Sequence, residues 1–239
     1  RFQTQAPFPA LRPRRLRAHP ALRAMVRETH LTPADLIWPI FVMAGEDSSE
    51  PVSSMPGVSR HTVDRLPALA SKAHSLGIPA ICIFPYTDPA LKTEDCCEAW
   101  NPDNLSNRAI RAIKDAVPDV MVMTDIALDP YNINGHDGIV RDGEIVNDET
   151  VAALVKMGQA QAQAGADILG PSDMMDGRIG ALRAMLEQNS FQNVSILSYS
   201  AKFSSAFYGP FRDAVGATGA LTGDKNTYQI DPANGDEAL

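Results

Sequence analysis

Between residues 36 and 199 the sequence alternates short, unbroken apolar runs with stretches of helical period, and this alternation restricts the possible folds sharply. The apolar runs are LIWPIFVM (36–43), AICIFP (80–85), VMVMTDIAL (120–128), DILGP (167–171) and VSILSY (194–199). Continuous runs of this length suit strands buried on both faces, as in a parallel sheet covered by helices. The intervening stretches predict helices over 63–76, closed by Gly77, and over 106–117, capped by Asn104 or Ser106 and stopped by Pro118. Two more are expected over 149–164, capped by Asp148 and ended by Gly165, and over 179–187. Residues 227–230 predict the start of a sixth strand. Within IVRDGEIV (139–146) the Asp142-Gly143 pair signals a hairpin placed between the third strand and its helix. Repeated βα units build either an open doubly wound sheet or a closed (β/α)8 barrel. No fixed-period repeat or interior linker divides them, so one domain is expected.

An apolar fraction of 44% with 21% charged residues excludes disorder. No apolar run approaches the ~18 residues of a membrane span, so no membrane partner is expected. Three cysteines, Cys82, Cys96 and Cys97, are odd in number and lack CxxC spacing. That argues against a disulfide framework and for a reducing compartment. The net charge of −8 is unevenly spread. Residues 1–27 hold seven arginines and no acid, which leaves −15 for the remainder. A basic arm on an acidic body fits nucleic-acid binding, a transit peptide, a solvated tail, or docking onto an acidic neighbouring subunit. Nucleic acid is disfavoured, because interleaved aromatics are missing and the body would repel phosphate. A transit peptide should be rich in serine, whereas this stretch has none and carries Pro7, Pro9, Pro13 and Pro20. Subunit docking is the better reading. The chain thus divides into an arm (1–30) and a folded domain (31–239), and with no signal peptide the expected location is cytoplasmic. Both ends read as cut, since the first residue is Arg1 and the last follow the helix-like opening GDEAL. A plastid leader would have been lost with the native N-terminus.

In a parallel α/β protein the chemistry sits in loops after the strand C-termini. Those loops present Asp125 and Asp129, then Ser172 and Asp173, then Ser200 and Lys202. Of six lysines, Lys72, Lys92, Lys114 and Lys156 fall in helices or a polar loop where solvation is expected. Lys202 instead stands among small and aromatic residues, between SILSYSA and FSSAFYGPF. An amine there would be desolvated, which lowers its pKa and frees the lone pair for attack on a carbonyl. The ordinary alternative is a snorkelling lysine. Arg212 and Lys225 flank a Gly/Thr-rich segment (216–223) with the composition of a mobile lid. Two such cations would bind a substrate carboxylate and depress the amine's pKa further. Together these residues point to a Schiff-base enzyme acting on a small keto acid.

Longer motifs carry a resemblance. SDMMDGRIGALR (172–183), SYSAKFSSAFYGPFRDA (198–214), TYQIDPAN (227–234), RPRRLR (12–17), SMPGVSR (54–60) and AWNPDNLSNRAIRAIK (99–114) closely resemble the delta-aminolevulinic acid dehydratases. The resemblance implies a (β/α)8 TIM barrel with an extended basic N-terminal arm. It implies condensation of two 5-aminolevulinate molecules into porphobilinogen, with loss of two waters, in heme and chlorophyll biosynthesis. Lys202 matches one of the family's two Schiff-base lysines. Arg212 and Lys225 match its carboxylate-binding pair, and Gln229 an additional polar contact. Asp125, Ser172 and Tyr208 match cavity positions, Asp125 with a proton-transfer or amine-orienting role. The ordinary alternatives are a strand-end acceptor for Asp125, a helix cap for Ser172, a packed ring for Tyr208 and a solvated amide for Gln229. Zinc-dependent members carry three thiolates after strand three, where this sequence has Ala127, Asp129 and Asp137, so no zinc is expected. The family's allosteric Mg2+ ligand would lie just past Leu239. Cys96 and Cys97 read as an ordinary small-residue pair.

By the same resemblance the basic arm would wrap a neighbour in a homo-octamer. The second Schiff-base lysine belongs to a later VKPG-like motif, and that motif does not occur here. The chain is therefore expected to lack the last barrel strands and to be inactive alone. Two rivals remain: a class I aldolase-like barrel with one lysine, and an inert truncated chain serving as an interaction partner.

Overall fold

The structure, a computed structural model, describes residues 6–217, 221 and 223–239. No side chain among residues 6–36 is buried; this stretch holds a 3-10 turn, Pro13–Arg17, and a short helix α1, Pro20–Met25. The first strand, β1 (Ile37–Met43), is followed by β2 (Ser49–Pro51), β3 (Ser59–Thr62), helix α2 (Leu66–Ser75) and β4 (Ala80–Tyr86). Next come α3 (Leu105–Ala116), β5 (Met121–Ile126), the hairpin β6 (Val140–Arg141) and β7 (Glu144–Ile145), and α4 (Asn147–Ala164). The remainder is β8 (Ile168–Pro171), α5 (Arg178–Gln188), β9 (Ser195–Ile196) and α6 (Gly209–Ala214).

The main sheet runs β2-β3-β1-β4-β5-β8-β9. From β1 onward the strands lie side by side in chain order, all parallel, with Ile37 opposite Ala80, Ala80 opposite Met121 and Asp125 opposite Gly170. Alternation then sorts their side chains to two faces. Ile40, Val42, Ile81, Ile83, Val122 and Leu169 face the helices and pack with Leu66, Ile110, Leu154 and Leu182, from α2, α3, α4 and α5. Phe41, Cys82, Phe84 and Met123 point the opposite way and form a second core with Val215 and the Phe211 ring of α6. Parallel strands in chain order, with these helices on one face, follow the winding of a (β/α) barrel. A doubly wound sheet needs helices on both faces and a reversal of strand order. Helix α4 lies unusually close on this layer. A Cβ at Gly158 would come within 2.8 Å of Leu182 and 3.2 Å of Leu169, so glycine permits the approach.

Several local expectations hold. Asn104 caps α3 by accepting from the Asn107 amide at 2.8 Å, and Asp142 and Gly143 take positive φ (51° and 84°) in the tight turn between β6 and β7. Others need correction. The cap position of α4 is Val146, not Asp148; the Thr150 hydroxyl donates back to the Val146 carbonyl at 2.6 Å, and Asp148 sits in the first turn. The fifth strand is two residues long because it pairs only with β8, although the Leu197 amide still donates to the Leu169 carbonyl at 2.9 Å. Residues 227–230 form no strand. The Tyr228 and Gln229 amides turn back onto the Lys225 carbonyl, and Ile230 alone bridges to Phe203. Strands β2 and β3 were not anticipated at all. Among the described residues no helix is long and apolar enough to cross a membrane.

Candidate active site

Asp125 ends β5 on the face that the helices leave uncovered, so its carboxylate meets the loops that rise beyond β8 and β9. There a cavity of about 240 Å³ is lined by all seven side chains singled out from the sequence: Lys202, Asp125, Ser172, Tyr208, Arg212, Lys225 and Gln229. They come from five separate stretches of the chain, and only the tertiary fold brings them together. Asp129 and Asp137 line the same cavity.

The ammonium of Lys202 donates to the Ser172 backbone carbonyl at 2.6 Å and to Asp137 Oδ2 at 3.3 Å. It lies 5.7 Å from the centre of the Tyr208 ring. Asp137 Oδ1 accepts from Lys225 Nζ at 2.6 Å, so one buried carboxylate bridges two ammonium groups. The Ser172 hydroxyl donates to Asp125 Oδ1 at 2.6 Å. Ser172 is therefore not a helix cap; the cap of α5 is Gly177. Arg212 carries no ion pair among the described residues and remains available to an anion. Gln229 is buried against the same space.

The acids differ in protonation although all three are buried. Burial, with the Asp129 charge, pushes Asp125 up to about 7 against the opposing Ser172 hydrogen bond. Burial and the Asp137 charge also raise Asp129. Burial would raise Asp137 too, but Lys202 and Lys225 outweigh it and hold its carboxyl below the usual range. Lys202 departs from the sequence reading. Burial does pull its pKa down, yet Asp137, Asp129 and Asp125 together more than reverse this, and the ammonium is held above the ordinary lysine value. Composition around Lys202 in the chain could not reveal this, because the three acids arrive from β5 and the loop that follows it.

A second correction concerns Lys92 and Lys114, which were expected to be solvated. Lys92 is buried and donates to the Gly216 carbonyl at 3.1 Å. Lys114 is half-buried and pairs with Asp167 at 2.9 Å. The expected lid, 216–223, falls partly outside the described residues, which omit 218–220 and 222; Leu221 and Gly223 line the cavity. Behind the site, Arg178 Nε stands 3.2 Å from the buried Asp173 carboxylate, and its Nη2 donates to the Tyr199 carbonyl at 3.0 Å. That pair ties the loop after β8 to the loop after β9. The cavity as a whole joins one amine near three carboxylates to two further cations. It can hold a small molecule bearing a carboxylate, a carbonyl and an amine.

Known proteins are similar over nearly the whole chain. The sequence profile of the delta-aminolevulinic acid dehydratase family matches residues 10–239. The delta-aminolevulinic acid dehydratase of Rhodobacter capsulatus is 58% identical over 233 residues, which cover 98% of this chain and 70% of that protein. The chloroplastic protein of Glycine max is 51% identical, covering 95% of this chain and 55% of its own length. Among solved structures, the Toxoplasma gondii delta-aminolevulinic acid dehydratase in complex with its reaction product porphobilinogen superposes with a TM-score of 0.92. It is 48% identical and covers 95% of this chain and 65% of that one. The chain thus spans between about half and 70% of the length of these relatives.

Proposed function

Because the chain belongs to the delta-aminolevulinic acid dehydratase family, we propose that it serves the condensation of two 5-aminolevulinate molecules into porphobilinogen, a lyase step of tetrapyrrole biosynthesis, within an eight-stranded barrel. The observation that carries this reading is the largely enclosed Lys202 amine, held 3.3 Å from Asp137 in a cavity that also presents Arg212 and Lys225. Arg212 and Lys225 would take the substrate carboxylate, which places the keto carbon against Nζ of Lys202. The amine must first lose a proton, and the carboxylate cluster supplies acceptors for it. Addition to the ketone gives a carbinolamine. Asp125, with its pKa near neutrality, suits the delivery of a proton to the departing hydroxyl, so that water leaves and an iminium forms. A cavity assembled this fully gives no support to an inert interaction partner. Borohydride reduction in the presence of 5-aminolevulinate, followed by peptide mapping, tests the assignment: the adduct is expected on Lys202, and its absence would overturn the reading.

The reading extends to metal and assembly. At the three positions where zinc-dependent relatives carry thiolates, Ala127 offers no donor and Asp137 is already shared by two ammonium groups. This set does not fit zinc, which favours soft or nitrogen ligands in a tetrahedron. Borohydride labelling of Lys202 with 5-aminolevulinate is therefore expected to survive a zinc-selective chelator, and its collapse would contradict the proposal. Any allosteric Mg2+ would be held by residues other than these. The exposed arginines of the arm would dock onto an acidic neighbouring subunit in a homo-octamer in the cytoplasm. Deleting residues 1–27 is expected to lower the mass measured by light scattering; an unchanged assembly would argue against docking.

A further inference from the structure

We propose that Lys92, with Arg60, is a positioning residue that anchors the C-terminal end of α6 and thereby sets where Arg212 meets the substrate. The inference rests on the reading of Arg212 as a carboxylate-binding group. Helix α6 is only six residues long and cannot hold itself in place. It ends in a tight reversal in which the Gly216 amide donates to the Asp213 carbonyl at 3.1 Å and the Ala217 amide to the Arg212 carbonyl at 2.9 Å.

Among the described residues, three carbonyls of this reversal accept from cationic side chains. Arg60 Nη2 donates to Asp213 O at 2.6 Å and Arg60 Nε to Ala214 O at 2.7 Å. Lys92 Nζ donates to Gly216 O at 3.1 Å. The supports come from the top of the sheet. Arg60 lies on β3 and its guanidinium stacks 4.3 Å over the Tyr86 ring at the end of β4. Gly216, at φ +71°, rests on the same ring so closely that a Cβ would come within 2.5 Å of it. Lys92 is 7% exposed and sits within the electrostatic reach of Asp129, which lines the cavity. Burying an ammonium that far costs free energy; the Gly216 carbonyl and the Asp129 charge offset part of it, and burial still holds Lys92 below the ordinary lysine value. The lysine thus links the turn that closes α6, through Gly216, to the field of Asp129 in the cavity wall. Substrate affinity, more than the chemistry at Lys202, should depend on it.

The test compares Lys92→Met and Lys92→Arg with the unaltered protein by borohydride trapping at rising 5-aminolevulinate, and by hydrogen exchange of the 215–217 amides. For Lys92→Met the half-saturating concentration is expected to rise about tenfold with maximal labelling retained, the effect of losing one charge-assisted hydrogen bond. Exchange at Gly216 and Ala217 should quicken about tenfold while the sheet amides stay unchanged. Lys92→Arg should restore both. Unchanged half-saturation and unchanged exchange in Lys92→Met would overturn the anchor. If the unaltered protein is not labelled at Lys202, the functional reading fails instead, and the exchange comparison alone decides the anchor. Should Lys92→Met not fold, Arg60→Lys, which keeps the cation but loses one of two bonds, is read in the same way.

Discussion

Lys202→Met is expected to abolish the reducible adduct and to lower any turnover by on the order of 10⁴-fold or more, since no other group can replace a covalent nucleophile. The substitution also leaves the Ser172 carbonyl without its 2.6 Å donor and Asp137 with Lys225 as its one remaining cation. A modest destabilisation of about 1–3 kcal/mol is expected in urea titrations. The two effects separate cleanly, because a folded but unlabelled variant assigns the chemistry to the amine. An adduct that persists on another lysine would refute the assignment.

Asp125→Asn should make the protein more stable at pH 8 and leave it nearly unchanged at pH 4. The folded-state pKa of Asp125, raised from 3.8 to about 7, means that its contribution is fully present below about pH 4 and is lost as pH rises through 7. That displacement corresponds to on the order of 4 kcal/mol at most. Asparagine keeps the acceptor for the Ser172 hydroxyl and never ionises, so the alkaline loss disappears. Asp173, also pushed up to about 7 by burial, continues to give a similar slope in the variant. Asp137 acts in the opposite sense: its depressed pKa stabilises the fold above the ordinary carboxylate range and is lost only on acidification. Thermal melts at the two pH values decide the matter, and equal shifts at both would show that the carboxyl is not held protonated. Turnover near neutrality should fall about 10²–10⁴-fold, as the proton donor is gone. A stability gain paired with an activity loss is what a strained catalytic group produces.

Much of this was legible from residue order. The apolar runs at 36–43, 80–85 and 120–128 became β1, β4 and β5, because short continuous runs rich in β-branched residues suit strands covered on both faces. Asn104 and the Asp142-Gly143 turn act through neighbours one to three residues away, so they too could be read locally. The strand pair β2–β3 could not. SEP and SRHT are polar, and they become strands only because β1 offers a free edge for Arg60 to Thr62 to pair against. The TYQI segment failed in the reverse direction, its β-like composition overruled by amides that turn back to Lys225.

The site divides along the same line. Lys202, Arg212 and Lys225 could be found from the sequence, because a lysine among small and aromatic residues is rare and the surrounding motifs are long. Their partners could not be found in that way. Asp137 reaches Lys202 across 65 positions and Lys225 across 88, and Lys92 reaches Gly216 across 124. Sequence by itself determined the winding units, the run of arginines over residues 1–27 and the choice of Lys202 as the candidate amine, all set by local pattern or composition. Only the tertiary structure decided the charge state of that amine and the contacts that hold the turn after α6. Both depend on Coulomb energies and hydrogen bonds that fall off over a few ångströms in space and have no counterpart in distance along the chain.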